Sequence, residues 1–316
     1  MSSVGIKNRL LSLLAVMLGA TIVVSGSLRL VPGDPIDHIL GEQAQSSSRE
    51  LIAQELGLIN QFGAPIGFVD QYGLFLRQLA NNNLKSFITR RNTLETVLER
   101  LPYTAALGTS AMLVALLLGP LMGIMASFFH HRWPDHLFSV FALIGISIPS
   151  FFLGPLLLLL FSLHWGILPI SGADNGIVSL ILPSLSMGIA LAAMLARMSR
   201  ASMLEVLSED FIRTAKAKGL ANRLVFFKHA LRNALIPVVT LVGLQFGAVL
   251  AGTVITEKIF NWPGVGLLLL DSIHQLDMPM VQTCVLFIAF TYAVVNMTTD
   301  ILYGLIDPRI SMGSTQ

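Results

Sequence analysis

Charge is what this sequence has least of. Only 12% of its 316 residues are Asp, Glu, Lys or Arg, against about a quarter in a soluble domain. Cysteine is nearly missing too: Cys284 stands alone, which excludes an internal disulfide framework and any multi-cysteine metal site and leaves a small buried hydrophobe as its expected role. There is no G-x-x-x-x-G-K-[ST] phosphate loop, no H-E-x-x-H and no Ca²⁺-loop pattern. The tract "GISIP" at 145–149 lacks the second glycine of an intramembrane serine protease, and Asp34 in "PGDP" has no partner aspartate. His130 and His131 are adjacent, so on a helix they point about 100° apart and make poor joint ligands. Neither catalysis nor a bound metal or cofactor is expected of this chain.

What fills the space is hydrocarbon. Hydrophobic residues make up 54% of the chain and the mean hydropathy is +0.73. One water-soluble core could not hide so much apolar surface. Uncharged runs of about 20 residues, enough to cross a bilayer, occur at Leu10–Leu28, Leu101–Phe129, Leu137–Leu163, Gly176–Ala196, Ala234–Thr256 and Met280–Thr299. They are too long, and too free of alternation, for barrel strands. An all-α integral membrane protein with six spans is expected. The first run follows Lys7 and Arg9 as a secretory signal does, but its apolar core is long for one and no convincing small-x-small site precedes Arg29, so it reads as a retained helix.

Lys and Arg in short loops set the orientation. With the N-terminus inside, the inner segments carry Lys7, Arg9, Arg132 and Arg309, together with Arg197, Arg200, Arg213, Lys216, Lys218, Arg223, Lys228 and Arg232 in one loop. The short outer loops hold only Lys258. The segment from Arg29 to Arg100 is basic as well, but at about 70 residues it crosses regardless of charge. Both termini are therefore placed in the cytoplasm.

Residues 30–92 predict a small helical cap outside the membrane. Pro32-Gly33-Asp34-Pro35 is turn chemistry; Ser48 caps a helix to Leu56 with Gly57 as its stop. Val69, Tyr72, Leu76 and Leu79 form a helical stripe. Asn92-x-x-Glu95 resembles a capping box, ahead of Leu94, Val97, Leu98 and Leu101 on one face before Pro102. No segment outside the spans could contain a nucleotide-hydrolysing domain of usual size.

The inner loop is richer. Ser208 caps a helix of about ten residues that has Glu209 and Asp210 in its first turn, Lys216 and Lys218 in its last, and Gly219 at the left-handed stop position. Leu207, Phe211 and Ala215 mark its apolar side, and Glu209 faces Arg213. Asn222 caps the next helix, which carries Phe226, Phe227 and Leu231 into the fifth span. The positive-inside rule explains the charge, but not a capped short helix with a glycine stop. Such a helix must dock to persist, which points to a cytoplasmic partner.

Within the spans, small residues recur at close-packing intervals: Gly119 and Gly123, then Gly188, Ala192 and Ala196, then Gly243, Gly247 and Gly252. Polar groups at depth are few. Thr240, Gln245, Asn296 and Asp300, with Gly247, are candidates for a translocation path or for helix packing, and Asp300 lies close enough to the inner end to pair with an inner-loop Arg.

"DFIRTAKAKGL" followed by "HALRNALIPVVTLVGLQ" resembles the cytoplasmic loop signature of permease subunits of bacterial ABC importers of the peptide/nickel group. "LVPGDP" at 30–35, "LERLPYTAALG" at 98–108, "FFLGPLLLLLFSLHWGILPISG" at 151–172, "EKIFNWPGVGLLLLDSI" at 257–273 and "DPRI" at 307–310 agree, in order along nearly the whole chain. The B-type permease is the nearest match. The resemblance implies the type I importer permease fold. It also implies a homologous second permease, two ATPase subunits that bind ATP and Mg²⁺, an extracytoplasmic substrate-binding protein and surrounding membrane lipid as partners, with no nucleic acid. It makes 1–29 an N-terminal span, 30–92 the outer helical loop, 93–304 the five-helix core with a coupling loop at 197–233, and 305–316 a cytoplasmic tail. The loop helix becomes the coupling helix seated on the ATPase through Phe211, Arg213, Thr214, Ala215, Lys216 and Gly219. The family's Glu-Ala-Ala-x-x-x-Gly falls on Arg213, Thr214, Ala215 and Gly219, of which Ala215 and Gly219 keep the general consensus and Arg-Thr-Ala is common in the peptide branch. The outer loop departs from the family pattern at "INQFGAPIGFVDQY" and "NNNLKSF". Dipeptides, longer peptides, nickel or another chelated metal and glutathione-like compounds are all substrates the family admits. A secondary transporter would need an internal repeat with midplane ion ligands, and none is visible; a membrane scaffold would not need the coupling pattern.

Overall fold

A backbone in hydrocarbon must satisfy every N–H and C=O within its own segment, so the apolar runs become helices. The computed structural model describes residues 3–30, 35–40, 46–60 and 64–306, and among these it is helical with no strand, only the isolated bridges Ile59–Pro65 and Lys85–Asn92. The helices are α1 (Ser3–Leu28), α2 (Pro35–Leu40), α3 (Ser46–Glu55), α4 (Phe68–Ala80), α5 (Thr93–Phe128), α6 (Trp133–Ser147), α7 (Ser150–Leu157), α8 (Ile177–Ser208), α9 (Asp210–Ala217), α10 (Asn222–Leu224), α11 (Leu231–Phe260), α12 (Val265–His274) and α13 (Met278–Ile306). π-helical turns extend α7 through Leu158–His164 and join α10 to α11 through Val225–Ala230. The turn at 32–34 and the tail with Arg309 lie outside the described residues, as do the side chains of Lys7, Arg9, Ser48 and Asp300.

Among the described residues five helices are long and apolar enough to span a membrane: α1, α5, α8, α10 running into α11, and α13. The third expected span is not continuous. α6 and the α7 segment meet at 103°, and the break falls in the "GISIP" tract. Its cause is local: Ile148, at φ −86° and ψ 118°, is held out of the helical region by Pro149 behind it. The count is six only if this bent pair serves as one span. By contrast Pro102 ends nothing, because α5 runs through it for 36 residues.

The chain divides into two compact units, Met1–Thr104 with Pro263–Ala293, and Ala105–Trp262 with the remainder from Val294. These cuts differ from the sequence boundaries at 29, 92 and 304, because long-range polar contacts return part of α13 to the outer segment. Asp277 is the main knot of the first unit. It accepts the Ser86 hydroxyl proton and the Phe87 N–H, the latter at 3.0 Å. Thr283 Oγ1 lies 3.0 Å from Thr93 Oγ1, and Gln282 donates to Ser25 Oγ at 2.7 Å. Val97, Val265, Met280 and the buried Cys284 form a small apolar cluster beside them. Asn92 caps α5 as expected, with its Oδ1 accepting the Glu95 N–H at 3.2 Å. Helix α3 ends ahead of Gly57, whose φ is +67°, and starts at Ser46 rather than at Ser48. On α4 the deeply buried residue is Phe75, with Tyr72, Leu76 and Leu79 half-buried, while Val69 is exposed.

In the second unit α8 is the axis. A Cβ at Gly119 of α5 would stand 2.6 Å from Leu195 Cβ, and one at Gly123 would stand 2.3 Å from the Ala196 carbonyl oxygen. Only hydrogen fits there, so the small-residue spacing does bring these backbones together. Leu107, Ala111, Met112, Met187, Leu195 and Trp262 fill the core around this crossing.

Candidate functional site

The inner loop folds as an extended link, a short helix and a tight stop. Helix α8 runs to Ser208, whose hydroxyl donates back to the Glu205 carbonyl at 2.7 Å, so it is the end of the preceding helix and not a cap. Glu209 then adopts φ −68° and ψ 151°, and α9 occupies eight residues, Asp210–Ala217. The expected Glu209–Arg213 pair is replaced by Arg213–Asp210 at 3.2 Å. At the far end Gly219 has φ +79°. Its N–H reaches the Lys216 carbonyl at 3.0 Å and the Leu220 N–H reaches that of Ala215 at 3.4 Å. This pair of bonds is a Schellman stop, which needs a left-handed residue at its turn. Gly219 is where the sequence places it.

The faces of α9 differ from expectation. Ile212, fully buried, and Ala215 turn inward onto Met203, Val225, Phe226, Ala230 and Ala234. Phe211 is 44% exposed, and Arg213, Thr214 and Lys216 are exposed with it. Ala215 thus fastens the helix to its own chain, whereas Phe211 is presented outward. Leu224 and Phe227 are also exposed, as are the basic residues Arg213, Lys216, Lys218 and Arg223. Asn222 is the first residue of α10 and makes no side-chain cap. The π-helical turn behind it is braced by rings: Phe226 meets Phe128 edge-on at 5.1 Å, and Phe227 lies 5.0 Å from Phe226. Ser202 Oγ donates to the Ala234 carbonyl at 2.9 Å, tying α8 to α11 beside this cluster. The short helix therefore sits on a braced base.

Sequence reasoning missed Asp135. It is 2% exposed, yet it takes a two-pronged contact from Arg200, Nε to Oδ1 at 2.7 Å and Nη2 to Oδ2 at 2.9 Å. The His131 N–H donates to Oδ2 at 3.2 Å, and His130 Nδ1 is 3.2 Å from the same oxygen. This is an acid paired with an inner-loop Arg, the kind of contact expected for Asp300, whose own side chain lies outside the described residues. The signal was available: Asp135 is the lone acid between Glu99 and Asp174, at the start of an apolar run. The histidines are not on a helix either. His131 has φ +63°, and the two rings lie 3.8 Å apart.

The candidates at membrane depth fall on two helices. Thr240, Gln245 and Gly247 lie on α11; Asn296 and Asp300 lie on α13. Thr240 is half-buried, its hydroxyl donating to the Ile236 carbonyl at 3.1 Å, and Asn296 is half-buried. Gln245 is 5% exposed, and neither polar atom of its amide has a hydrogen-bond partner. Gly247 is buried.

Comparison with known proteins places this arrangement. Residues 119–312 match the family of binding-protein-dependent transport system inner membrane components. The chain is 41% identical to the glutathione transport system permease protein GsiC of Escherichia coli O6:H1 over 96% of its own length and 97% of the relative's. It belongs to this family. Its branch is the peptide/nickel group of ABC importer permeases, as the loop signature implied. The glutathione permease of Salmonella typhimurium is 40% identical over the same shares. In fold, the chain resembles the inward-facing MetNI methionine ABC transporter, with a TM-score of 0.55 and 15% identity over 67% of this chain and 96% of that one. The protein is a multi-pass inner-membrane permease subunit of an ABC importer, a class that works with ATPase subunits and a substrate-binding protein.

Proposed function

We propose that this permease contributes half of a pore for a peptide-sized solute of the glutathione or short-peptide kind. A homologous permease supplies the other half, two ATPase subunits lie on the α9 side and an extracytoplasmic binding protein lies opposite. The permease itself carries no reaction. ATP and Mg²⁺ belong to the ATPase subunits, and this chain offers two packings of similar free energy that its partners bias. The substrate class rests on the glutathione permeases that align along nearly the whole chain.

One observation carries the coupling role: α9 is held to its own bundle by Ile212 and Ala215 and turns Phe211 outward among basic residues. An aromatic in that position, on a helix too short to persist alone, fits a pocket in an ATPase. The core 93–304, the outer segment 30–92 and the tail 305–316 then take the roles of engine, docking surface and inner end, with both termini in the cytoplasm. The test is co-purification and uptake. Phe211→Asp should lose the ATPase subunits and uptake while the permease still inserts. Full uptake with normal ATPase retention removes α9 from the coupling role. Single cysteines at positions 47 and 208, in a Cys284→Ala background, should label from opposite sides of the membrane; labelling from one side removes the topology.

A further inference from the structure

A groove of about 660 Å³ opens between α5, α6 and α8 at the end of the bundle that carries α9. Met122, Leu143, Ile146 and Met194 give it apolar walls, and Leu143 and Met194 are 57% and 46% exposed. Two arginines of α8 line it, and they differ. Arg200 is engaged by Asp135. Arg197, almost one turn earlier, is exposed and makes no ion pair with any described residue. The groove therefore carries one uncompensated positive charge above hydrocarbon walls.

Depth identifies what meets that charge. Helix α8 starts at Ile177 and carries no charged residue before Arg197. Twenty residues of helix rise about 30 Å, the thickness of the hydrocarbon layer. Arg197 thus stands at the level of lipid phosphates, with the apolar walls running from it toward the membrane interior. Basic pockets between spanning helices at this level bind anionic head groups.

We infer that this groove seats one anionic phospholipid, its phosphate on Arg197 and an acyl chain along Met122, Leu143, Ile146 and Met194. The lipid bridges α6 and α8 beside the Asp135–Arg200 pair, whose Arg200 also lines the groove, so it stiffens the end of the bundle on which α9 is mounted. The inference rests on the coupling reading only for the leaflet, which becomes the cytoplasmic one.

The importer complex, purified in detergent and stripped of loose lipid, is titrated with phosphatidylglycerol or phosphatidylcholine and read by native mass spectrometry. One phosphatidylglycerol per copy of this chain should bind in preference to phosphatidylcholine. Arg197→Gln should weaken that site about fivefold, Arg197→Lys should retain it, and Arg223→Gln, outside the groove, should leave it unchanged. Should Arg197→Gln fail to assemble, Leu143→Trp keeps the charge and narrows the groove, and must also reduce binding. Unchanged occupancy in Arg197→Gln and Leu143→Trp, or equal binding of the two lipids, overturns the site. A cysteine at 143 that cross-links to the second permease assigns the groove to that chain and overturns it as well. The readout needs neither ATP nor substrate, so failure of the coupling role leaves it standing.

Discussion

Among the described side chains of α1 the buried ones are Thr21, Ser25 and, at its last residue, Leu28, while Leu11, Leu14, Val16 and Val23 face outward. In α9 the buried ones are Ile212 and Ala215, while Asp210, Arg213 and Lys216 face outward. Each helix puts inside what its solvent rejects. Lipid tails are as apolar as Leu, so outward leucines on α1 lose nothing, and association comes from packing and from hydrogen bonds such as Thr21 Oγ1 to the Tyr72 hydroxyl at 2.8 Å. Water gives α9 the opposite face. Burial of an Ile side chain contributes about 1.5–3 kcal/mol, and that is a large part of what docks eight residues. A long helix made stable by its solvent is thus set against a short one made stable only by contact, and the short one is the better moving part.

The sharpest way to break the inward-polar arrangement is to leave a full charge unpaired. Arg200→Ala strips the two-pronged partner from Asp135, which stays buried with only His130, the His131 N–H and Ser139 near its oxygens. Loss of one partner of a buried pair costs about 3–5 kcal/mol. Thermal unfolding in detergent should show a large drop in the melting temperature, and Asp135→Asn combined with Arg200→Ala should recover part of it. A melting temperature equal to the parent's would mean that this pair is solvated and carries no stability.

Next in size is the inverse experiment on α9. Ile212→Asp puts a carboxylate where Met203 and Phe226 close over an apolar side chain. The helix escapes that burial by undocking, at the expense of about 1.5–3 kcal/mol of lost apolar contact. Insertion should survive because α9 is not a span, while uptake and ATPase retention should fall together. Arg213→Asp, on the exposed face, should leave the helix docked. Equal docking of α9 in the two variants would show that the buried face is not what holds it.

The same contrast explains what could be read in advance. Apolar runs are visible whichever way they face, so the spans were legible as segments, although α8 continues to Ser208 beyond Ala196 and the fifth span begins at Asn222 ahead of Ala234. Their inner contacts were not, because polar residues such as Thr21 carry no periodic signal. On α9 the predicted face of Leu207, Phe211 and Ala215 assumed one continuous helix. Glu209 is extended, so Leu207 belongs to α8 and the phase restarts, which swaps Ile212 for Phe211 inside and Asp210 for Glu209 beside Arg213. Gly219 needed no phase, since a left-handed stop is a local demand. The break at Ile148 was written in Pro149, but an uninterrupted run of uncharged residues around it hid the bend. The resemblance to a family supplied the partners and the coupling role. It did not supply Asp135, whose signal was its place as the lone acid between Glu99 and Asp174 and whose partner Arg200 lies 65 residues away along the chain.

Gly219→Val is a smaller perturbation in energy and a finer probe of the short helix. No atom lies within 4 Å of where its Cβ would stand, so crowding is not the issue. The left-handed backbone alone costs a residue with a side chain about 1–2 kcal/mol, and β-branching adds to that. The stop should loosen, turning Phe211 away from its bearing, so uptake should fall with inserted protein unchanged. Gly219→Asn, which tolerates the same conformation, should restore most of it. Equal defects in Val and Asn would place the fault elsewhere than in backbone handedness.

The smallest effect belongs to α1 and tests the comparison most finely. Thr21→Val keeps the shape and removes a hydroxyl that lies 2.8 Å from the Tyr72 hydroxyl and 3.0 Å from the Met17 carbonyl oxygen. In water-exposed folds a Val in the core is welcome, but here the surrounding lipid is already apolar and the gain is nil. What remains is the lost bond between helices, about 0.6 kcal/mol in spanning bundles. Val23→Thr, on the lipid face, should cost little as well, because a Thr hydroxyl in a helix can donate to a carbonyl one turn back, as Ser27 does to Val23 at 2.8 Å. The two variants exchange the same groups on opposite faces. Denaturation in mixed micelles should rank Thr21→Val below the parent and Val23→Thr beside it. If Thr21→Val instead stabilises the protein, α1 is packed as in a soluble core, and lipid is not what its leucines meet.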